Sequence, residues 1–95
     1  MNYLDIILAL ENKGDRCGFN MRNAANKYYL AVVAANMLGD GSSSIIETQT
    51  SFKSSVENFK NSCLSNNINY GNLFDGTTDE IVQIMVKELY DSRYN

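Results

Sequence analysis

A chain of 95 residues with 44% hydrophobic and 20% charged residues has the balance of one globular domain, long enough to bury a modest core and too apolar for global disorder. Its formal net charge of −3 argues against a general nucleic-acid binder, which needs clustered Lys and Arg to neutralise phosphates. With no histidine and two distant cysteines, zinc coordination by Cys and His is excluded and no disulfide framework can be read, so Cys17 and Cys63 are expected as free thiols.

The charge is unevenly spread. Lys13, Arg16, Arg22 and Lys27 face only Asp15 in their stretch, whereas acids outnumber lysines between Asp40 and Asp91. A dipolar molecule is expected. Proline is absent, which leaves glycine and Asx chemistry to punctuate the chain.

The opening "MNYLDIILAL" lacks a basic leader and a small-residue cleavage site, and Asp5 breaks its apolar run, so it reads as a helix and not as a signal peptide. Asn2 is a natural N-cap with Asp5 three residues on, and Gly14 a natural C′ residue, which predicts a helix over 3–13. A loop "GDRCGF" follows, and Asn20 caps a second helix over 21–38 that ends at Gly39. Ser44 and Glu47 have the spacing of a capping box, opening a third helix over 45–64. Its stripe Ile45, Phe52, Val56, Phe59 and Cys63 steps at helical spacing, with polar residues elsewhere. Ile68, Tyr70, Leu73 and Phe74 supply enough apolar surface for the next loop to tuck against the core as a short turn. Thr77 and Glu80 repeat the cap logic, and Ile81, Val82, Met85, Val86, Leu89 and Tyr90 give a fourth helix over 78–92 a wide apolar face.

Residues 1–95 are therefore expected to form one all-α domain, a small four-helix up-and-down bundle. The longest uncharged apolar stretch falls far short of the ~20 residues of a membrane span, so a soluble, cytoplasmic protein with no membrane contact is expected.

The second helix is the unusual one. Met21, Ala25, Tyr28, Val32, Ala35 and Gly39 form its core stripe, and Arg22, Asn26, Tyr29, Val33 and Asn36 form a mixed stripe beside it. The unbroken apolar run from Tyr28 to Ala35 must be surrounded by the other helices or lie against a partner chain. Asn26 and Asn36 fit the solvent edge of a core; the whole mixed stripe also has the composition of a protein interface, where Tyr and Arg anchor and amides give direction. A second copy of the chain is one partner it would suit.

Other chemistries are poorly served. Neither cysteine has a histidine base, so Cys17, beside Arg16, reads as an ordinary loop thiol and Cys63 as core packing. The loop "GDGSSS" before the third helix has the look of an anion cradle, but it lacks a Walker lysine and carries Asp40 where phosphate would lie. The spacing in "NLFDGTTDE" fails the twelve-residue calcium loop. No catalytic residue, cofactor or metal is expected. The best anion signal is the basic set Lys13, Arg16, Arg22 and Lys27, interleaved with Phe19, Tyr28 and Tyr29 over segment 13–29.

In size, acidity and helical layout, though in no motif, the chain resembles bacteriocin immunity proteins and small phage-encoded inhibitors. Its wealth of Asn, Lys, Ile and Tyr fits an AT-rich genome of a phage or bacterium. That resemblance implies a small non-enzymatic module that occludes a partner protein. The alternative is an accessory protein that binds a nucleotide or nucleic acid through segment 13–29.

Overall fold

Local capping chemistry starts the first helix, and a computed structural model that describes residues 1–39 and 43–94 shows how the rest follows. In α1 (Tyr3–Glu11) the Asp5 N–H donates to Asn2 Oδ1 at 2.9 Å and the Asn2 N–H donates to Asp5 Oδ2 at 3.3 Å, a closed capping box. The helix stops at Glu11 and not at 13. Gly14, at φ +83°, then turns the chain through the left-handed region that a side chain would resist.

Helix α2 (Cys17–Leu38) begins earlier than expected. Asn20 is not its cap: the Asn20 N–H already bonds to the Arg16 carbonyl at 3.1 Å, inside the first turn. Arg16 holds the N-cap position without a side-chain bond, and Asp15 Oδ1 accepts the Cys17 N–H at 2.9 Å in its place. The residues "CGF" are therefore helical, and Gly18 is buried against Ile7 of α1. At the other end Gly39, at φ +68°, donates its N–H to the Ala35 carbonyl, an αL stop.

Helix α3 (Ser43–Ser65) also starts sooner, which puts Ser44 inside the helix and not at its cap. Residues 40–42, the middle of "GDGSSS" and with it the expected anion cradle, lie outside the described residues. Helix α4 (Thr78–Tyr94) opens on Thr77, whose Oγ1 accepts the Glu80 N–H at 3.2 Å while its hydroxyl donates to Glu80 Oε1 at 3.0 Å. The four helices form an all-α bundle in which α2 packs on each of the other three. Contacts near both ends, Cys17 with Ser62 and Tyr28 with Gln49, show α2 and α3 to be antiparallel.

Much of the core lies where the periodicity puts it, although Ile45, expected on the α3 stripe, is half-buried and Tyr90, expected on the apolar face of α4, is exposed. Phe52, Val56, Phe59 and Cys63 of α3 meet Ile7 and Leu10 of α1, Met21 and Ala25 of α2, and Val82 and Met85 of α4. The connection 66–77 folds back as expected, laying Ile68, Tyr70, Leu73 and Phe74 on that core. Phe74 is its keystone, edge-on to Tyr3, Phe59 and Tyr70 at centroid distances of 5.6, 5.8 and 5.6 Å. Each such pair is worth about 0.5–1.5 kcal/mol beyond the area it buries.

Polar ties also cross the bundle. The Tyr28 hydroxyl donates to Asp79 Oδ1 at 2.6 Å and accepts from Gln49 Nε2 at 3.2 Å, joining α2, α4 and α3; burial and the Asp79 carboxylate push its phenol above the ordinary range. The Glu88 carboxylate of α4 accepts the Tyr3 N–H through both oxygens, at 3.0 and 3.1 Å, and so satisfies an open donor at the start of α1. The Tyr3 hydroxyl donates to the Leu73 carbonyl.

Burial raises the Glu88 pKa above its ordinary 4.5, against the lowering effect of the Tyr3 N–H and with a further push from Asp5. The folded state thus holds this proton more tightly than the unfolded chain. The group's stabilising contribution is present below 4.5 and is lost as pH rises through the raised folded value. Glu88→Gln keeps a side-chain acceptor and removes the titration, so the melting temperature of the variant should gain on the wild type as pH rises from the acid side of that window to neutrality. Melting curves that stay parallel across the window would contradict the assignment.

Candidate functional site

Helix α2 leaves the core halfway along its length. Met21, Ala25 and Tyr28 are buried, but Val32 and Ala35, expected on the core stripe, are only half-buried. Leu30, Met37 and Leu38 are 56%, 79% and 79% exposed, and Ile46 near the start of α3 is 68% exposed. The apolar run is therefore not enclosed by the other described helices.

The mixed stripe is divided by the same geometry. Arg22, Asn26 and Tyr29 line an open groove of about 390 Å³ between α2 and α4, whereas Val33, half-buried, and Asn36, exposed, lie further along α2 and outside it. The groove's other wall comes from Val86, Leu89 and Tyr90 of α4. Its floor on α2 also includes Phe19, Asn23 and Leu30. Phe19 extends the mixed stripe one turn upstream at helical spacing, a turn that a helix expected to begin at 21 leaves unread, while Asn23 lies within the expected helix beside Arg22.

The basic set does not converge on one point. Arg16 and Arg22 place their guanidinium carbons 5.4 and 5.9 Å from the Phe19 ring centroid, a shared aromatic seat at the mouth of the groove. Lys27 lines a different groove, between α2 and α3, with Asn20, Glu47 and Thr48. Lys13 is exposed in the turn after α1. The asparagines of α2 follow the same division: Asn20 belongs to the α2–α3 side, Asn26 to the α2–α4 side, and Asn23 reaches both.

The cysteines are placed for packing and bonding. Cys63 is fully buried, and burial pushes its thiol up, away from the thiolate that nucleophilic chemistry needs. Cys17, half-buried in the first turn of α2, accepts a hydrogen bond from the Ser62 hydroxyl at 3.4 Å. Nearby, the Cys17 N–H holds the Asp15 carboxyl below its usual range. Among the described residues no group of three Cys, Asp or Glu side chains is arranged to hold a metal ion, and no helix is long and apolar enough to cross a membrane.

No protein-family model matches the chain, and neither a curated protein nor a solved structure matches it.

Proposed function

We propose that the protein is a small non-enzymatic binding module that engages a partner protein through the outer face of α2, in the manner of an inhibitor or immunity-type protein that occludes its target. The observation that carries this reading is the exposure of Tyr29, Leu30, Met37 and Leu38 on a helix that sets Met21, Ala25 and Tyr28 of its first half into the core. A contiguous apolar face on a small protein stays wet at a cost unless something covers it. Arg22 and Tyr29 are the residue types that anchor interfaces, and Asn26 and Asn36 add directional amides beside them.

The test is the double variant Tyr29→Ala, Asn36→Ala. Both positions are exposed, so its melting temperature should stay close to that of the wild type, while recovery of a partner on the tagged protein from extracts of its native host should fall sharply. Equal recovery with a lower melting temperature would sink the reading. Light scattering belongs beside it: a stable homodimer that survives high salt would make a second copy the occupant of this face.

A nucleotide or nucleic acid is the second reading, favoured by the two guanidinium groups seated on Phe19. It separates cleanly, because phosphate-driven affinity falls steeply with ionic strength and an apolar interface barely responds.

A further inference from the structure

We propose that Cys17 and Cys63 form a latent redox pair, which closes into one intramolecular disulfide when the chain meets a small-molecule disulfide such as oxidised glutathione. The pair is a product of the fold: Cys17 is the first residue of α2, Cys63 lies in the last turn of α3, and the antiparallel packing of the two helices brings these ends together. The Cys17 sulfur accepts the Ser62 hydroxyl at 3.4 Å, which sets it one residue along α3 from Cys63. Both side chains pack in the same apolar cluster. Asp15 completes the group, its carboxylate accepting the Cys17 N–H at 2.9 Å. The Cys63 thiol, raised first by burial, is raised further by the charges of Asp15 and Cys17, the kind of shift that like charges a few ångströms away produce.

Exposure divides the roles. Cys17 is half-buried and meets the solute first, while Cys63 is fully buried and is reached only from inside the fold. In the first step the Cys17 sulfur gives up its proton and attacks one sulfur of oxidised glutathione; the S–S bond of glutathione breaks and one glutathione thiol leaves. Rotation of the Cys17 side chain then carries the mixed disulfide off the Ser62 hydroxyl and toward Cys63. There the Cys63 sulfur attacks the Cys17 sulfur, its proton passes to the departing second glutathione, and the Cys17–Cys63 bond forms. The two protein thiols have lost two electrons, and one glutathione disulfide has become two thiols. The second step is the slow one, because burial and Asp15 keep the Cys63 thiol protonated, and it should quicken as pH rises toward that raised value. Closure ties the start of α2 to the end of α3, a covalent staple that forms where the surroundings are oxidising.

The test follows the reduced full chain with oxidised glutathione by intact-mass spectrometry, with samples quenched in acid at intervals. A transient gain of one glutathione should give way to a monomer about 2 Da lighter than the reduced protein, and the conversion should be faster at higher pH. A non-reducing tryptic digest should then join the peptide holding Cys17 to the one holding Cys63, and dithiothreitol should restore both thiols. Cys63→Ala keeps the core apolar and should stop at the glutathione adduct; Cys17→Ser, at a half-buried site, should stay unmodified. A wild-type adduct that persists, disulfide-linked dimers, or two thiols left untouched overturns the proposal, and so does a Cys17→Ser chain that takes up glutathione as fast as the wild type. The wild-type masses and peptide map decide even where a variant folds poorly.

Discussion

Phe59→Ala should lower the free energy of unfolding by about 3 to 5 kcal/mol, the cost of deleting a buried ring and leaving most of its volume empty. Phe59 is fully buried on the inner face of α3, and its ring meets Phe74 edge-on at 5.8 Å. The truncation therefore removes two supports together. It hollows the core between α3 and its neighbours, and it takes away a surface on which the 66–77 connection rests. Against a total of about 5 to 14 kcal/mol for a domain of this size, the variant should be partly unfolded at physiological temperature. Each kcal/mol corresponds to a fall of about 4–8 °C in melting temperature, so thermal denaturation followed by circular dichroism reads the effect directly. Phe74→Ala is the informative companion: its ring is only half-buried, so it should cost less alone. Combined with Phe59→Ala it should cost less than the sum, because the edge-on contact is lost in either single variant. A Phe59→Ala protein as stable as the wild type would overturn the assignment of the α3 core face.

What could be read in the chain, and what could not, divides by the range of the interaction. The stripe Phe52, Val56, Phe59 and Cys63 was legible because a helix with one wet face writes its period into the residues themselves. The bonds of Asn2 with Asp5 and of Thr77 with Glu80 were legible for the same reason, each spanning one helical turn. The start of α2 was not: Gly18 looks like a loop residue until Ile7 of another helix is placed against it. Nor does anything near Tyr3 announce that Glu88, from the far end of the chain, will take its N–H. The candidate site follows this division. Arg22, Asn26 and Tyr29 share a face by helical spacing alone, while their partners Val86, Leu89 and Tyr90 depend on which helix packs beside α2, a tertiary choice. The exposed second half of α2 was legible only as a pair of alternatives, because an apolar run looks alike in a core and at an interface.

Gly18→Val tests that one tertiary contact, and it should destabilise the fold by about 1–3 kcal/mol through overpacking. A Cβ built on Gly18 would lie 3.0 Å from Ile7 Cγ2 and 3.1 Å from both Ile7 Cγ1 and Cα. The side-chain atoms can yield by rotation, but the Cα belongs to the backbone of α1, so relief requires the two helices to separate. Glycine inside a helix ordinarily costs about 0.5–1 kcal/mol relative to alanine, which makes Gly18→Ala the finer comparison: the gain in helix propensity opposes the clash, and its net effect should be the smaller of the two. Valine gains less in propensity and adds two methyl groups to the same space. Urea unfolding of both variants, with and without Ile7→Ala, separates the contributions. If the clash is real, Ile7→Ala should reduce the cost of Gly18→Val, giving a coupling of about 0.5–3 kcal/mol. Additive effects would mean that α1 and α2 do not meet at this point, and the early start of α2 would lose its tertiary reason.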